Sequence, residues 1–244
     1  MVIKMTKRID DLQLDGLKIM QEEGGYGFTS DSVLLANFVN AKHSDVCVEI
    51  GTGCGVISIL VNYKENPKKI YAFEVQEDVA KLAQENVKMN KMQEKIQIFS
   101  QKVQNWRNFL GFGEVDVVFC NPPYFKYDKN TSGENEVKVI SRFDKLLTLN
   151  ELFECASKML KSGGKMFFVY ASSRLDECMI AMKANKLSPK KMYFVHPNQN
   201  KNSTVFLCEA VKDGGNEVKI LPPLFTNNLD GDYVQTIQKL YKGE

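Results

Sequence analysis

The sequence predicts an α/β domain built on one mostly parallel β-sheet. From about residue 45 onward, apolar runs alternate with helical stripes, which is typical of a sheet covered by helices on both faces. Seven runs are strand candidates, and the last two, joined by a short link, are expected to be antiparallel to each other. The seven are VCVEI (46–50), KIYAFEV (69–75), KIQIF (95–99), VDVVFC (115–120), KMFFVY (165–170), KKMYFVH (190–196) and STVFLCEAVK (203–212).

Apolar residues at helical spacing predict the covering helices. One stripe runs from Val79 to Val87, one from Leu149 to Leu160 with its end at SGG (162–164), and one from Leu175 to Met182. We expect a single domain, with an N-terminal extension (1–44), a core (45–212) and a tail that carries a helix (213–244). The extension holds the strand-like LKIMQ and a helix whose N-cap lies among Thr29, Ser30 and Asp31. Polar residues 126–140 predict a mobile loop at the end of the fourth strand, where ligands usually bind in α/β sheets.

The composition excludes several classes of protein. With 244 residues, 43% hydrophobic and 25% charged, the chain resembles an ordinary soluble globular protein. No apolar run is long enough for a membrane span, and the N-terminus lacks the apolar core of a signal peptide. Six scattered cysteines without a C-x-x-C pair indicate free thiols in a reducing compartment, so we expect a cytoplasmic protein. His43 and His196 are spaced too far apart to complete a zinc site, and we expect no metal.

A glycine loop follows the first core strand, in VEIGTGCGV. Glycines there let the backbone turn sharply and approach a ligand closely. Val56 stands where the dinucleotide fingerprint requires a third spaced glycine, which disfavours pyrophosphate. Glu49, two residues before the first glycine, suits a cationic cofactor that carries an amino acid, whose ammonium it can hold directly or through water. Glu74 ends the second strand, where a carboxylate can accept both ribose hydroxyls of a nucleotide.

The fourth strand ends in Asn121, Pro122, Pro123 and Tyr124. Two prolines after a buried strand can simply terminate it. The chemical interpretation is methyl transfer to a planar nitrogen, whose lone pair is delocalised and attacks poorly. The Asn121 side-chain oxygen and the Pro122 carbonyl can accept its two N–H bonds and favour pyramidalisation, which is electrostatic preorganisation. Tyr124 offers a flat face on which the target can stack.

At these motifs the chain resembles the bacterial tRNA(Val) adenine N6-methyltransferase family, which acts on the adenine 3′ of the anticodon. GLKIMQ…FTSDSVLLANF, VEIGTGCGV, FCNPPYF, the block LLTLNELFECASKMLKSGGKMFFVY, FVHP and LPPLF carry the resemblance. It implies a Rossmann-like class I methyltransferase fold: a seven-stranded, mostly parallel sheet with an antiparallel last strand. It also implies S-adenosylmethionine as cofactor and tRNA as partner, and we expect a monomer.

The resemblance assigns the site residues as follows. Asn121, Pro122, Pro123 and Tyr124 would hold the flipped adenine. The cofactor set would be Thr29, Asp31, Glu49, Gly51, Thr52, Gly53, Glu74, Val75, Lys102, Val103 and Asn121. Two positions depart from the family. Relatives often carry an acid at Lys102, so recognition of the cofactor adenine would depend on backbone atoms there. They also read Arg-His-Glu where this chain has Arg142, Phe143 and Asp144, which removes any role of that histidine.

Basic residues are clustered although the net charge is only +2. From Lys183 to Lys201 there are five lysines, one histidine and no acid. Such a cluster can be ordinary solvated surface, or it can contact phosphates. On the second interpretation the RNA-binding residues are Lys4, Lys7, Arg8, Arg142, Lys190, Lys191 and Lys201.

Three other functions use the same motifs. A release-factor-type protein methyltransferase would modify a glutamine amide, but such enzymes usually carry a separate N-terminal helical domain, and only about 45 residues precede the first core strand. A DNA adenine methyltransferase would need a target-recognition domain, for which the sequence offers little room. A non-enzymatic nucleotide- or RNA-binding module would leave both motifs without a purpose.

Overall fold

The sheet predicted from the sequence is present. The computed structural model describes residues 7–22, 28–124, 147–235 and 237. Its seven long strands run side by side in the order β8-β9-β7-β6-β3-β4-β5. They are β3 (Val46–Ile50), β4 (Lys69–Glu74), β5 (Ile96–Ser100), β6 (Val115–Cys120), β7 (Leu160–Ala171), β8 (Leu187–His196) and β9 (Val205–Lys212).

Of these seven, β9 alone runs antiparallel to its neighbours, β7 and β8. The mostly parallel sheet with an antiparallel last strand is therefore confirmed. Two strands of two residues each, β10 (Lys219–Ile220) and β11 (Leu224–Phe225), pair in parallel with β8 and extend the sheet to nine strands among the described residues. Neither strand was predicted, because two residues are too few to show a period of two.

Helices cover both faces of the sheet. On β6, Val117 and Phe119 pack into one hydrophobic cluster while Val118 and Cys120 pack into the other. This alternation makes the strand apolar on both faces, as expected for a buried parallel sheet. The first cluster includes residues of α1 (Ser30–Phe38), α2 (Val56–Glu65) and α3 (Glu77–Met89), and the second those of α4 (Leu149–Met159) and α5 (Leu175–Ala184).

The boundary between α4 and β7 differs from the prediction. The helix begins at a capping box formed by Thr148 and Glu151, and it ends at Met159 rather than at SGG. Leu160 already pairs with Val115, and the register then shifts between Val115 and Val117. The glycine-containing segment therefore forms the irregular start of a longer strand instead of a helix cap, because it lies between Leu160 and Lys165, which both pair with β6.

The N-terminal extension forms a hairpin of β1 (Lys7–Asp11) and β2 (Lys18–Glu22), of which only the second strand was predicted. Asn86 of α3 and Asn90, the residue that caps the end of this helix, hold β2 in place. Asn86 accepts from the Met20 amide at 2.7 Å and donates to the Met20 carbonyl at 2.9 Å, and Asn90 makes the same two bonds with Lys18 at 3.0 and 2.7 Å. Asn86 is fully buried and also donates to the Cys54 carbonyl at 2.9 Å. One side chain thus connects the hairpin to the glycine loop.

Some predictions concern residues outside the described ranges. The loop at 126–140 lies wholly outside them, and the helix of the tail falls partly on residues 236 and 238–244. In the described part of the chain, no helix is long and apolar enough to cross a membrane. All six cysteines are free thiols, and five of them are buried.

Candidate active site

Three strands end side by side at the carboxyl edge of the sheet. In β3, Ile50 is in register with Phe73 of β4 on one side and with Cys120 of β6 on the other. Gly51 and Asn121 directly follow the first and the last of these residues, and Glu74 ends β4. The topology therefore brings together the glycine loop (residues 51–55) and the Asn-Pro-Pro-Tyr turn (residues 121–124).

The glycine loop adopts backbone conformations that require glycine. Gly51, Gly53 and Gly55 have φ values of +72°, +56° and +88°, in the region where side chains other than glycine are strained. A Cβ atom added at Gly51 or Gly53 would meet no heavy atom within 4 Å, whereas one at Gly55 would lie 3.5 Å from the Ala83 side chain. The first two glycines therefore expose their backbone to open space, as close approach of a ligand requires. The third packs against α3.

Glu49 holds this loop in place through hydrogen bonds. Its side chain is fully buried, and one oxygen accepts from the Thr52 hydroxyl at 2.7 Å, the Ser58 amide at 3.1 Å and the Ser58 hydroxyl. The other oxygen, Oε1, is buried without a hydrogen-bond partner in the described part of the chain. Burial raises the pKa of Glu49 to about 7, although the bonds from Ser58 and Thr52 oppose the shift. A buried acceptor without a donor is costly, so this oxygen suits a cationic or water-mediated partner.

Glu74 lies beside the loop on β4. One carboxylate oxygen accepts from the Gly53 amide at 3.0 Å, and the other from the Gln76 amide at 2.9 Å. The side chain is 6% exposed, and burial raises its pKa. Each carboxylate oxygen can accept more than one bond, so capacity remains for the predicted ribose hydroxyls. Val75, the next residue, is partly buried.

Lys102 and Val103 follow the end of β5, the strand next to β4, at the same edge of the sheet. The Gln101 amide donates to the Glu74 carbonyl at 2.9 Å, which ties the end of β5 to the end of β4. Lys102 is exposed at the start of a 3-10 turn (Val103–Asn108), while Val103 is 6% exposed and packs in the second cluster. Val103 is therefore held in place, and the Lys102 side chain points to solvent.

At the Asn-Pro-Pro-Tyr turn, side chains bond to one another. The Tyr124 hydroxyl lies 2.9 Å from both the Asp31 carboxylate and the Asn121 side-chain oxygen, and the Asn121 amide donates to the Ser32 hydroxyl at 3.2 Å. Because a hydroxyl has one proton, it donates to one of these two oxygens at a time. Burial raises the pKa of Asp31, and the bond from Tyr124 opposes that shift. The acceptor predicted for a target amine is thus held by an exchangeable bond.

Helix α1 supplies the outer wall of this site. Its N-cap is Thr29, whose hydroxyl is buried and makes no hydrogen bond to a described residue. The prediction placed Thr29 and Asp31 at the cofactor, and the structure places Asp31 against Tyr124. The contact of Ser32 with Asn121 was not predicted, although the hydroxyl-rich FTSDS was a signal. Nor was Arg174, which donates to the Tyr124 carbonyl at 3.0 Å and for which no sequence signal existed.

The basic residues do not form one face. Lys191 is paired with Glu209 at 2.8 Å, and it lies in the middle of β8, five residues before that strand ends at His196. Lys190 donates to the Gly215 carbonyl at 2.5 Å, in the segment after β9. Lys201 differs, because it is exposed in the turn between β8 and β9, at the same edge as the active site.

The predicted basic face at the N-terminus is also divided. Lys7 is paired with Glu85 at 2.5 Å and Arg8 with Asp10 at 2.8 Å, both in β1 of the hairpin. Lys4 and Arg142 lie outside the described residues. Of the seven predicted RNA contacts, the structure places Lys201 at the carboxyl edge and Lys190 and Lys191 away from it.

Known proteins are similar to this chain in sequence and in fold. A family model described as the methyltransferase small domain matches residues 27–186. The chain is similar to tRNA1(Val) (adenine(37)-N6)-methyltransferase of Pseudoalteromonas translucida, with 24% identity over 240 residues that cover 92% of this chain and 95% of the relative. The protein of that name from Dyadobacter fermentans is 25% identical over 216 residues, 87% of each chain. Among solved structures, a predicted O-methyltransferase, protein Atu636 from Agrobacterium tumefaciens, has a TM-score of 0.71 at 16% identity, covering 87% of this chain and 96% of that one.

Proposed function

The chain belongs to the methyltransferase small domain family, and on that premise we propose that it transfers a methyl group from S-adenosylmethionine to the N6 atom of an adenine in tRNA. The adenine is the one 3′ of the anticodon of tRNA(Val), and the enzyme acts as a cytoplasmic monomer. One observation carries the proposal: the Asn121 side-chain oxygen lies at the carboxyl edge of β6, next to the strand that carries the glycine loop. The relatives named for this reaction cover almost the whole chain.

The cofactor side fits S-adenosylmethionine, which supplies an electrophilic methyl group on a sulfonium. The open backbone at Gly51 and Gly53 allows close approach. The buried Glu49 oxygen that has no hydrogen-bond partner among the described residues suits the ammonium of a methionine moiety, directly or through water. Glu74 keeps acceptor capacity for ribose hydroxyls. These three features would hold the cofactor with backbone and buried carboxylates, while the side chains of the Asn-Pro-Pro-Tyr turn face the substrate.

On the substrate side, the target amine takes over a hydrogen bond that the protein already makes. Its two N–H groups would donate to the Asn121 side-chain oxygen and to the Pro122 carbonyl. The Tyr124 hydroxyl would then donate to Asp31, which lies at the same distance of 2.9 Å. The exchange leaves no buried hydroxyl without an acceptor, so it avoids the usual desolvation cost.

Proton removal needs no strong base in this scheme. The methylated amine is a cation with an acidic proton, which passes to water once the methyl bond has formed. The enzyme therefore contributes orientation and electrostatic stabilisation rather than general-base catalysis.

Substitution of Asn121 tests the mechanism. We expect Asn121→Ala to lower kcat by about 10²- to 10³-fold, as when one stabilising hydrogen-bond partner is removed from a transition state. The dissociation constant for S-adenosylmethionine should change less than about twofold, because the lost contact belongs to the transition state. Methyl transfer to tRNA is measured with labelled cofactor, and cofactor binding by calorimetry.

Asn37→Ala is a matched control, because that asparagine donates to the Val33 carbonyl within α1, away from the turn. Full activity of Asn121→Ala would refute the mechanism. Labelled cofactor offered to total RNA and to total protein separates adenine methylation from glutamine methylation. Nucleoside mass spectrometry of tRNA from cells with and without the gene identifies the product.

A further inference from the structure

Arg174 contacts the last residue of the Asn-Pro-Pro-Tyr turn. It ends the 3-10 turn Ser172–Arg174, which follows β7, and β7 pairs in parallel with β6. Its Nη1 atom donates to the Tyr124 carbonyl at 3.0 Å. The side chain is only 12% exposed, so this bond is largely shielded from water.

Two further contacts fix the orientation of the guanidinium group. Nη2 donates to the Glu177 carboxylate at 3.0 Å. The guanidinium carbon also lies 5.3 Å from the ring centroid of Tyr170, which is 1% exposed. A planar guanidinium group that bonds a carbonyl and a carboxylate while lying over an aromatic ring uses the specific geometry of arginine.

The same Tyr170 ring also supports Tyr124. The two tyrosine rings meet edge to face, with centroids 5.9 Å apart and an interplanar angle of 86°. Within the described part of the chain, Arg174 therefore holds the Tyr124 carbonyl, Tyr170 holds its ring, and Asp31 or Asn121 holds its hydroxyl. Of these, only the hydroxyl bond exchanges when a substrate amine enters.

The prolines alone do not complete this support. They fix φ at positions 122 and 123, but the direction of the chain at Tyr124 still depends on the ψ angles. A bond to the Tyr124 carbonyl constrains that remaining freedom at the last residue of the turn.

We propose that Arg174 is a positioning residue for methyl transfer. By bonding the Tyr124 carbonyl, it keeps the Asn121 oxygen and the Tyr124 ring in the arrangement that presents the target amine. It acts through Tyr124 and touches neither cofactor nor reacting atoms. The proposal deepens the proposed function and rests on it.

Arg174→Gln tests the proposal, with Arg107→Gln as matched control. Arg107 also lies over an aromatic ring, 4.4 Å from the Phe112 centroid, but in the 3-10 turn after β5. We expect Arg174→Gln to lower kcat with tRNA by about tenfold to 10²-fold, because misplacement by about 1 Å has effects of this size. Its dissociation constant for S-adenosylmethionine should stay within about twofold of the parent's. Arg107→Gln should leave both values unchanged.

Two further variants separate positioning from simple stabilisation. Arg174→Lys retains a cationic donor but lacks the two separate nitrogens of the guanidinium, so it should recover part of the lost kcat. Glu177→Gln leaves the arginine in place and should lower kcat less than Arg174→Gln does. The 13C chemical shift of the Tyr124 carbonyl, which responds to the hydrogen bond from Arg174, should change in Arg174→Gln but not in Arg107→Gln.

An Arg174→Gln enzyme with parental kcat and a parental carbonyl shift at Tyr124 would overturn the proposal. A variant whose cofactor affinity falls as much as its kcat would also overturn it, because general destabilisation would then explain both losses. If the parent enzyme methylates no tRNA, the proposed function fails, while the carbonyl shift of Tyr124 still decides whether Arg174 holds the turn.

Discussion

The glycine loop and the Asn-Pro-Pro-Tyr turn follow neighbouring strands, but different kinds of bond hold them. In the glycine loop, buried carboxylates accept bonds from the loop itself, as Glu49 does from Thr52 and Glu74 does from Gly53. In the turn, part-buried side chains bond to one another across two elements, as Tyr124 does with Asp31 of α1. The loop is therefore a rigid frame, and the turn contains acceptors that can change partners.

This difference follows from what each region has to bind. A cofactor that returns in every cycle is best met by a preformed backbone, whose glycines expose amides without side chains. A substrate amine needs acceptors that already lie in position but are free to exchange. Substitutions in the two regions should consequently separate cofactor affinity from the rate of transfer.

The largest effect is expected at Glu49. Glu49→Ala removes the acceptor of three donors from Thr52 and Ser58, and each buried donor left without a partner costs about 1–3 kcal/mol. We expect the free energy of unfolding to fall by about 3 kcal/mol or more, and affinity for S-adenosylmethionine to fall with it. Denaturant unfolding and calorimetry measure the two quantities.

Glu154→Ala is the control for this change, because Glu154 is only partly buried on α4 and pairs only with Lys158 within its own helix among the described residues. Parental cofactor affinity in Glu49→Ala would contradict the proposed difference between the glycine loop and the Asn-Pro-Pro-Tyr turn. The hydrogen bonds of Glu49 would then not be needed to hold the loop for the cofactor.

A smaller effect is expected from pH. Burial raises the pKa of Glu49 from 4.5 to about 7 in the folded protein. Between these values the folded state holds a proton that the unfolded chain has lost, so stability falls as pH rises through this window and levels off above it. A bound ammonium favours the ionised carboxylate, so cofactor affinity should rise by about tenfold between pH 6 and pH 8 and binding should release a proton.

Calorimetry in buffers of different ionisation enthalpy measures this proton release. Glu49→Gln has no ionisable group at this position and should abolish the pH dependence of affinity. A dependence that persists in Glu49→Gln would assign the titration to another group.

The smallest effect is expected at Lys201, outside both regions. Lys201→Gln should weaken tRNA binding and reduce the slope of log affinity against log salt by about one, as for the loss of one phosphate contact. Lys191→Gln is the matched control, since Lys191 is paired with Glu209 away from the active-site edge. Equal losses in both variants would restore the single basic face predicted for residues 183–201.

How far the sequence predicted this molecule depended on the range of the interactions. Continuous apolar runs predicted the sheet, because burial of both faces leaves a pattern in each strand. The glycines and Asn121 were found because their chemistry is contained in a few consecutive residues. Contacts between distant segments left no such pattern. The bond from Arg174 to Tyr124 joins residues 50 positions apart. Neither an arginine nor a tyrosine in the sequence predicts such a contact.

The same reason explains why the basic residues predicted to form one surface over residues 183–201 do not lie together. Lysines close in sequence were expected to share a face, yet a strand of ten residues carries them from one edge of the sheet to the other. Charge density along a chain therefore overestimates charge density on a surface whenever the segment is extended. Lys190 and Lys201 lie at different levels of the sheet for this reason.

Asn86 connects the N-terminal hairpin to the glycine loop, although the hairpin lies at the periphery of the molecule. Because this asparagine bonds both Met20 and Cys54, detachment of the hairpin would strand polar groups directly beneath the cofactor loop. A shortened enzyme lacking residues 7–22 would thus lose its hold on S-adenosylmethionine, even though it kept every residue assigned to the site from Glu49 onward.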